Sequence, residues 1–228
     1  MPIAWHEFSS RDELDQRLAT AAAQRLRTQL KQRGTALLAV SGGSTPKGMF
    51  AQLAQQDLRW DQITVSLVDE RFVPADHEDS NQRLINDHLR QGPASQAQLL
   101  PMYGAVELKS AAQVCAAQLQ KYLPCAQLIL GMGTDGHTAS WFPDSPQLDQ
   151  VTDSEGARLV AAVTTPSSPH PRLTMTLAAV LRSEQLVLHI TGAEKRSVLE
   201  ANLTGDSSDP IARIVKRPGV TVDVYWVA

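Results

Sequence analysis

Four short apolar runs, each emptying at once into a loop of small and charged residues, constrain this chain more than any other feature. Thr35 to Val40 is near-continuously apolar, the pattern of a strand buried on both faces of a parallel sheet, and Ile63 to Val68, Leu128 to Leu130 and Leu186 to Ile190 read as further strands. Helical periodicity fills the segments between them. Leu14, Leu18, Ala22, Leu26 and Leu30 recur every four residues behind the capping box Ser10-Arg11-Asp12-Glu13, and the helix they imply stops at Gly34. A second helix is expected through Met49, Phe50 and Leu53, with Pro46 at its first position. Others run through Leu84, Ile85 and Leu89 behind Ser80, through Leu108, Ala112, Cys115, Leu119 and Tyr122, and through Lys195, Val198 and Leu199.

Weaker signals complete the pattern. Trp5 to Phe8 and Leu159 to Val163 read as short strands, Arg172 to Thr176 as extended and Leu177 to Leu181 as helical. Asp144 to Gly156 reads as polar surface. Asp209-Pro210 opens a last helix closed by Pro218-Gly219, and the alternation from Val220 to Trp226 predicts a half-exposed final strand. Strands alternating with helices, without a repeat or linker, predict one α/β domain over residues 1–228. Its core is an open, largely parallel, Rossmann-like sheet flanked by helices.

In such a sheet the strand exits crowd one edge, and ligands bind there. The four exits here are Ser41 to Pro46, Asp69 to Arg71, Gly131 to His137 and Thr191 to Lys195. A structural turn explains any one of them; four together predict a site at the carboxyl ends of the strands. Ser41-Gly42-Gly43-Ser44-Thr45 offers backbone N–H groups and hydroxyls at a helix N-terminus, where an anion is favoured. It has neither the Gly-Lys-Ser/Thr ending of a Walker A loop nor the spacing of a dinucleotide fingerprint. Lys195 opens another helix as a second point charge for the same phosphate, although alone it reads almost as readily as a solvated lysine.

The other two loops suggest chemistry. In Gly131-Met132-Gly133-Thr134-Asp135-Gly136-His137 the Gly-x-Gly is expected to need positive φ, and the loop delivers a carboxylate two residues before an imidazole. Histidine is the side chain suited to exchanging protons near neutrality, so His137 is the candidate general base or acid. Asp69-Glu70-Arg71 reads either as a structural ion pair or as an oxyanion-stabilising Arg71 beside an Asp69 that orients or acts as a base. Neither Cys115 nor Cys125 has a metal-type spacing or a base beside it, and buried free thiols are expected. Without strong metal-ligand spacing, a GxSxG elbow or an activated thiol, no metal is expected, and water is the attacker.

Other classes are excluded on composition. A net charge of -3 and a pI near 6.1 give no nucleic-acid footprint. No apolar run reaches membrane-spanning length. The first residues lack a basic segment followed by an apolar core, which makes cytoplasm the expected compartment. No apolar stripe demands a partner, and a monomer is expected.

The chain resembles the 6-phosphogluconolactonases of the pentose phosphate pathway. The resemblance rests on SGGSTP at Ser41 to Pro46, VDERFVPADHEDSN at Val68 to Asn81 and GMGTDGHTASWFP at Gly131 to Pro143. It continues in Pro171-Arg172-Leu173-Thr174 and Thr191-Gly192-Ala193-Glu194-Lys195. Two departures stand out: Trp141, where leucine is commoner and the pocket wall is expected to change, and His170 inside the usual proline pair before Arg172.

The resemblance implies hydrolysis of 6-phospho-D-glucono-1,5-lactone to 6-phosphogluconate without a cofactor. Ser41, Gly42, Gly43, Ser44, Thr45 and Lys195 would then hold the phosphate, with Arg172 as a further contact. His137 would activate water, Arg71 would stabilise the oxyanion, and Asp135 or Asp69 would hold the imidazole. The related glucosamine-6-phosphate isomerase/deaminases typically carry Asp-Glu-Tyr at the strand end and a glutamate after the Gly-His loop. Both are missing here, which disfavours deamination. A sugar-phosphate-binding module without turnover is the other alternative.

Overall fold

A computed structural model describes residues 3–104, 107–205 and 207–228, so Met1 and Pro2 of the N-terminal reading lie outside the described residues. The strands are β1 (Ile3–Phe8), β2 (Ala36–Val40), β3 (Ile63–Leu67), β4 (Asp69–Arg71), β5 (Gln98–Leu100), β6 (Gln127–Leu130), β7 (Val160–Val163), β8 (Arg172–Met175), β9 (Leu186–Thr191) and β10 (Val222–Val227). The helices are α1 (Arg11–Arg33), α2 (Lys47–Ala54), α3 (Asn81–His88), α4 (Leu108–Leu119), α5 (Leu148–Val151), α6 (Leu177–Val180), α7 (Ala193–Thr204) and α8 (Ala212–Val215). Among the described residues, no helix is long and apolar enough to cross a membrane.

Seven strands form one sheet in the order β1-β10-β9-β6-β2-β3-β5, and every neighbouring pair is parallel. β2, β3 and β6 are buried along their whole length, as mostly apolar strands of a parallel sheet are, with Thr64, Ser66 and Gln127 as buried polar exceptions. The long α1 packs Leu14, Leu18, Ala22 and Leu26 into the core. Ser10 accepts the Glu13 N–H at its start, and Gly34 ends it in the left-handed region at φ 76°.

From β2 the chain lays β3 and β5 on one side, then returns to lay β6 and β9 on the other. The direction of growth therefore reverses between β2 and β6, where a crevice opens between diverging exit loops. Ser41 donates its N–H to Ile129 O at 3.0 Å, and its Oγ accepts the Gly131 N–H at 3.2 Å. Those two bonds join the two exit loops at the reversal.

Four features depart from the sequence reading. Asp69 to Arg71 is not an exit loop but β4, in a small antiparallel sheet of order β4-β8-β7. Val68 still donates to Val40 O beside the main sheet, yet accepts from the Met175 N–H, so the chain changes sheets at that residue. The Asp144 to Gly156 surface contains the single turn α5, and β5 is a three-residue strand too short to show periodicity. β10 is an internal strand, bonded to β1 and β9. Its alternation fails at the end, where Tyr225 is buried and Trp226 half-buried.

Candidate active site

An open cleft of about 360 Å³ lies over the β2–β6 reversal. Ser41, Gly42, Gly43, Ser44, Thr45, Asp69, Arg71, His137, Arg172 and Lys195 all line it. Asp135 does not; it stands behind His137.

The Ser41–Thr45 loop bends at Gly43, whose φ of 91° suits glycine. Gly42 is needed for space instead: a Cβ there would fall 1.9 Å from Asn81 Oδ1. Asn81 lines the cleft and donates to Asp69 O at 2.9 Å. The guanidinium of Arg11 on α1 reaches Thr45 O. Across the cleft Lys195 sits in the first turn of α7, after Gly192 at φ 90°. Burial holds its ammonium below the ordinary lysine range, and the Arg11 charge adds to the effect. Two cations that disfavour each other around a loop of N–H donors give this end of the cleft the chemistry to receive an anion.

His137 Nδ1 lies 2.6 Å from Asp135 Oδ1. The same oxygen accepts the His137 N–H at 3.2 Å, so backbone and ring are held together. Gly131 and Gly133 do not have the positive φ expected of them; that conformation falls at Gly136, φ 74°. Gly133 is small for a different reason. A Cβ on it would lie 2.3 Å from His137 Nδ1 and 2.4 Å from Asp135 Oδ1. Phe142 packs on the imidazole with ring centroids 4.6 Å apart and also lies under the Arg172 guanidinium.

Asp69 takes another position. Its Oδ2 accepts from Ser140 Oγ at 2.6 Å and lies 3.8 Å from Arg172 Nη1. Glu70 is fully buried and forms no side-chain ion pair with Arg71. Its carboxylate accepts the N–H groups of Arg71, Asn81 and Gln82 and the Ser80 hydroxyl, capping α3. Burial pushes its pKa up against those four bonds. Arg71 donates Nη1 to Asp79 O, while its Nε is buried without a protein partner among the described residues. Burial also lowers the pKa of Arg172; Asp69 opposes that shift and Arg71 adds to it.

Several wall residues carry no clear sequence signal. His189 on β9 is buried against the cleft with both ring nitrogens unpartnered among the described residues. Its Nε2 is 3.8 Å from Asp15 Oδ1, and burial, then Arg11 and Lys195, push its pKa down to about 3. Its position inside an apolar run disguises it as core. Ala139 lines the cleft at φ 52°, a conformation uncommon outside glycine. Trp141 is not in the wall: it is fully buried and donates Nε1 to Met175 O at 2.8 Å, leaving Phe142 to face the cleft. Both cysteines are free and buried, and burial pushes the Cys115 thiol up to about 12.

Residues 9–226 match the family model described as glucosamine-6-phosphate isomerases/6-phosphogluconolactonase. A 6-phosphogluconolactonase of Rhizobium meliloti (strain 1021) is 40% identical over 230 residues, with 99% of each chain covered. The crystal structure of a 6-phosphogluconolactonase from Shewanella baltica OS155 superposes with a TM-score of 0.95 at 35% identity, covering 99% of this chain and 98% of that one. That of a putative 6-phosphogluconolactonase from Neisseria gonorrhoeae FA 1090 gives 0.93 at 35%, covering 99% and 100%.

Proposed function

The chain belongs to the family of glucosamine-6-phosphate isomerases and 6-phosphogluconolactonases, and on that premise we propose that it hydrolyses 6-phospho-D-glucono-1,5-lactone to 6-phospho-D-gluconate. One observation carries this reading: the imidazole held by Asp135 opens onto the same cleft as the Ser41–Thr45 loop and Lys195. A proton-transfer group and an anion seat share one space, as a phosphorylated ester requires.

In this reading Asp135 accepts a hydrogen bond from the Nδ1–H of His137, leaving the Nε2 lone pair to take a proton from water. The water oxygen attacks the lactone carbonyl carbon, and the carbonyl oxygen takes the negative charge. Arg71, whose Nε has no protein partner among the described residues, stabilises that charge. When the ring C–O bond breaks, the imidazolium returns its proton to the departing ring oxygen. The phosphate meanwhile rests on the Ser41–Thr45 backbone and Lys195, with Arg172 as a further contact. Each step uses side chains of this chain, and the atoms balance as lactone plus water gives hydroxy acid.

Sugar-phosphate deamination gets less support. The stretch after His137 carries no carboxylate before Asp144, and Asp144 is occupied by Thr165 and Ser167. The chain is taken to act as a monomer, since Val114 is the one large apolar side chain exposed among the described residues. Light scattering on the purified protein checks that.

The deciding assay is acid release from freshly made 6-phosphogluconolactone, with unphosphorylated gluconolactone as control. Fast hydrolysis confined to the phosphorylated lactone is expected, and its loss in His137→Ala. No acceleration by folded wild type would sink the lactonase reading.

A further inference from the structure

We propose that His77, Asp79 and His170 form a binding site for a divalent transition-metal ion of the zinc class, outside the cleft and beside the strands that carry Arg71 and Arg172. Asp79 and His170 are 91 positions apart, so no sequence spacing announces the cluster, and the proposal departs from the expectation of no metal, which rested on spacing alone. His170 is the residue that interrupts the proline pair before Arg172, and nothing in the proposed reaction uses it.

The geometry suits a small tetrahedral ion. His170 Nε2 lies 2.9 Å and His77 Nδ1 3.9 Å from the same oxygen, Asp79 Oδ2. All three ligand atoms are within 4.8 Å of one another. Ligands at about 2.0–2.1 Å from a tetrahedral zinc stand about 3.4 Å apart, between the two observed separations. Small side-chain rotations therefore close the site. Two imidazoles and one carboxylate favour zinc, nickel, copper or cobalt over magnesium or calcium, which prefer oxygen ligands. The three residues are half-buried or exposed, so an ion can enter and keep water as its fourth ligand.

The frame around the cluster is already tied together. Phe72 donates its N–H to Pro171 O at 2.8 Å, linking the two segments that carry the ligands. Ser80 donates to His77 O at 3.0 Å, and the Arg71 guanidinium donates to Asp79 O. The two imidazoles meet edge to face, centroids 5.4 Å apart. One bond must be exchanged: His77 Nδ1 accepts the Asp79 N–H at 3.1 Å, and the ion takes over that lone pair. A bound ion would staple the segment behind Arg71 to the segment leading into Arg172. These two arginines are direct partners in the small sheet.

The test is titration of the intact protein with zinc alone by calorimetry, repeated with cobalt to read the visible absorption of a tetrahedral site. Wild type should bind one equivalent, and zinc should raise its Tm because the unfolded chain lacks the site. His170→Gln should weaken binding by about tenfold or more and abolish the Tm shift, since removing even an outer-shell partner costs about that much. His77→Gln, on a half-buried side chain in a loop, is the second variant should His170→Gln not fold. His137→Gln should bind zinc like wild type. Absence of stoichiometric binding, equal affinity in the variant tested, or loss in His137→Gln instead would overturn the proposal. Each of these outcomes is read without turnover and so is independent of the lactonase reading.

Discussion

Arg71 and Arg172 are directly opposite one another in the β4–β8 ladder. Like charges in that relationship destabilise a sheet, and Asp69, 3.8 Å from Arg172, is occupied by Ser140. An anion arriving between the arginines relieves the repulsion. Arg172→Met should therefore weaken binding of 6-phosphogluconate by about 10- to 100-fold, the cost of about 1.4 to 2.7 kcal/mol of charged hydrogen bonding. Its Tm should stay level or rise. Calorimetry and thermal melts read the two effects; unchanged affinity would remove Arg172 from the binding surface.

The bond between Asp135 and His137 divides their roles. His137→Ala should lower kcat by about 100- to 10,000-fold with little change in KM. Asp135→Asn keeps a side chain of the same shape but can present its amide to Nδ1, which favours the wrong tautomer. A kcat loss of about 10- to 1,000-fold is expected for it. Asp69→Asn should disturb stability through Ser140 more than the proton transfer. Equal kcat losses in both aspartate variants would contradict this assignment.

Gly133 is held small by the pair beside it. A methyl group there meets His137 and Asp135 at under 3 Å, so Gly133→Ala should reproduce the kcat loss of Asp135→Asn while product affinity stays near wild type. A crystal structure of the variant should find the imidazole displaced. Full activity in Gly133→Ala would mean that the pair has more room than the structure allows.

The pH dependence of stability should carry the mark of His189. With a folded pKa of about 3 below an unfolded value of about 6.5, it gains a proton on unfolding at any pH between the two. Stability then falls as pH drops through that window, by up to about 1.4 kcal/mol per pH unit. Arg11 and Lys195 oppose the imidazolium, while Asp15 faces it with a carboxyl whose pKa burial raises. His189→Leu removes this slope. Urea unfolding at about pH 5 and about pH 8 should show the variant gaining on wild type in acid; an unchanged gap would refute the buried neutral imidazole.

Much of this architecture is legible in the sequence for a specific reason. Strands buried on both faces must be mostly apolar, so β2, β3, β6 and β9 announce themselves despite Thr64, Ser66, Gln127 and His189, and parallel connection forces their exits together. The Ser41–Thr45, His137 and Lys195 segments are readable as a site from that rule alone. What escapes is whatever depends on distance across the fold. Asp69 to Arg71 looks like an exit loop because its antiparallel partner, β8, lies about 100 residues away. Asp135 rather than Asp69 lies against His137, and Asp69 is taken by a Ser140 hydroxyl 71 positions away, a pairing no local spacing shows. His189 hides in an apolar run because a neutral imidazole occupies a core position like any hydrophobe. Gly133 is legible as a glycine but not as a spacer, since crowding and positive φ leave the same letter.

The pairing of β1 with β10 sets the order in which the molecule can be completed. His6 and Asp223, 217 positions apart, meet at 2.9 Å along this pair, and β1 has no other neighbour in the sheet. β1 therefore stays unpaired until β10 has been made, and until then β9 too is an open edge. Unpaired edges template association with other chains. Removal of β10 would leave β1 detached and expose β9 as a new edge beside the standing edge at β5, so β10 is what keeps the interior strand β9 covered.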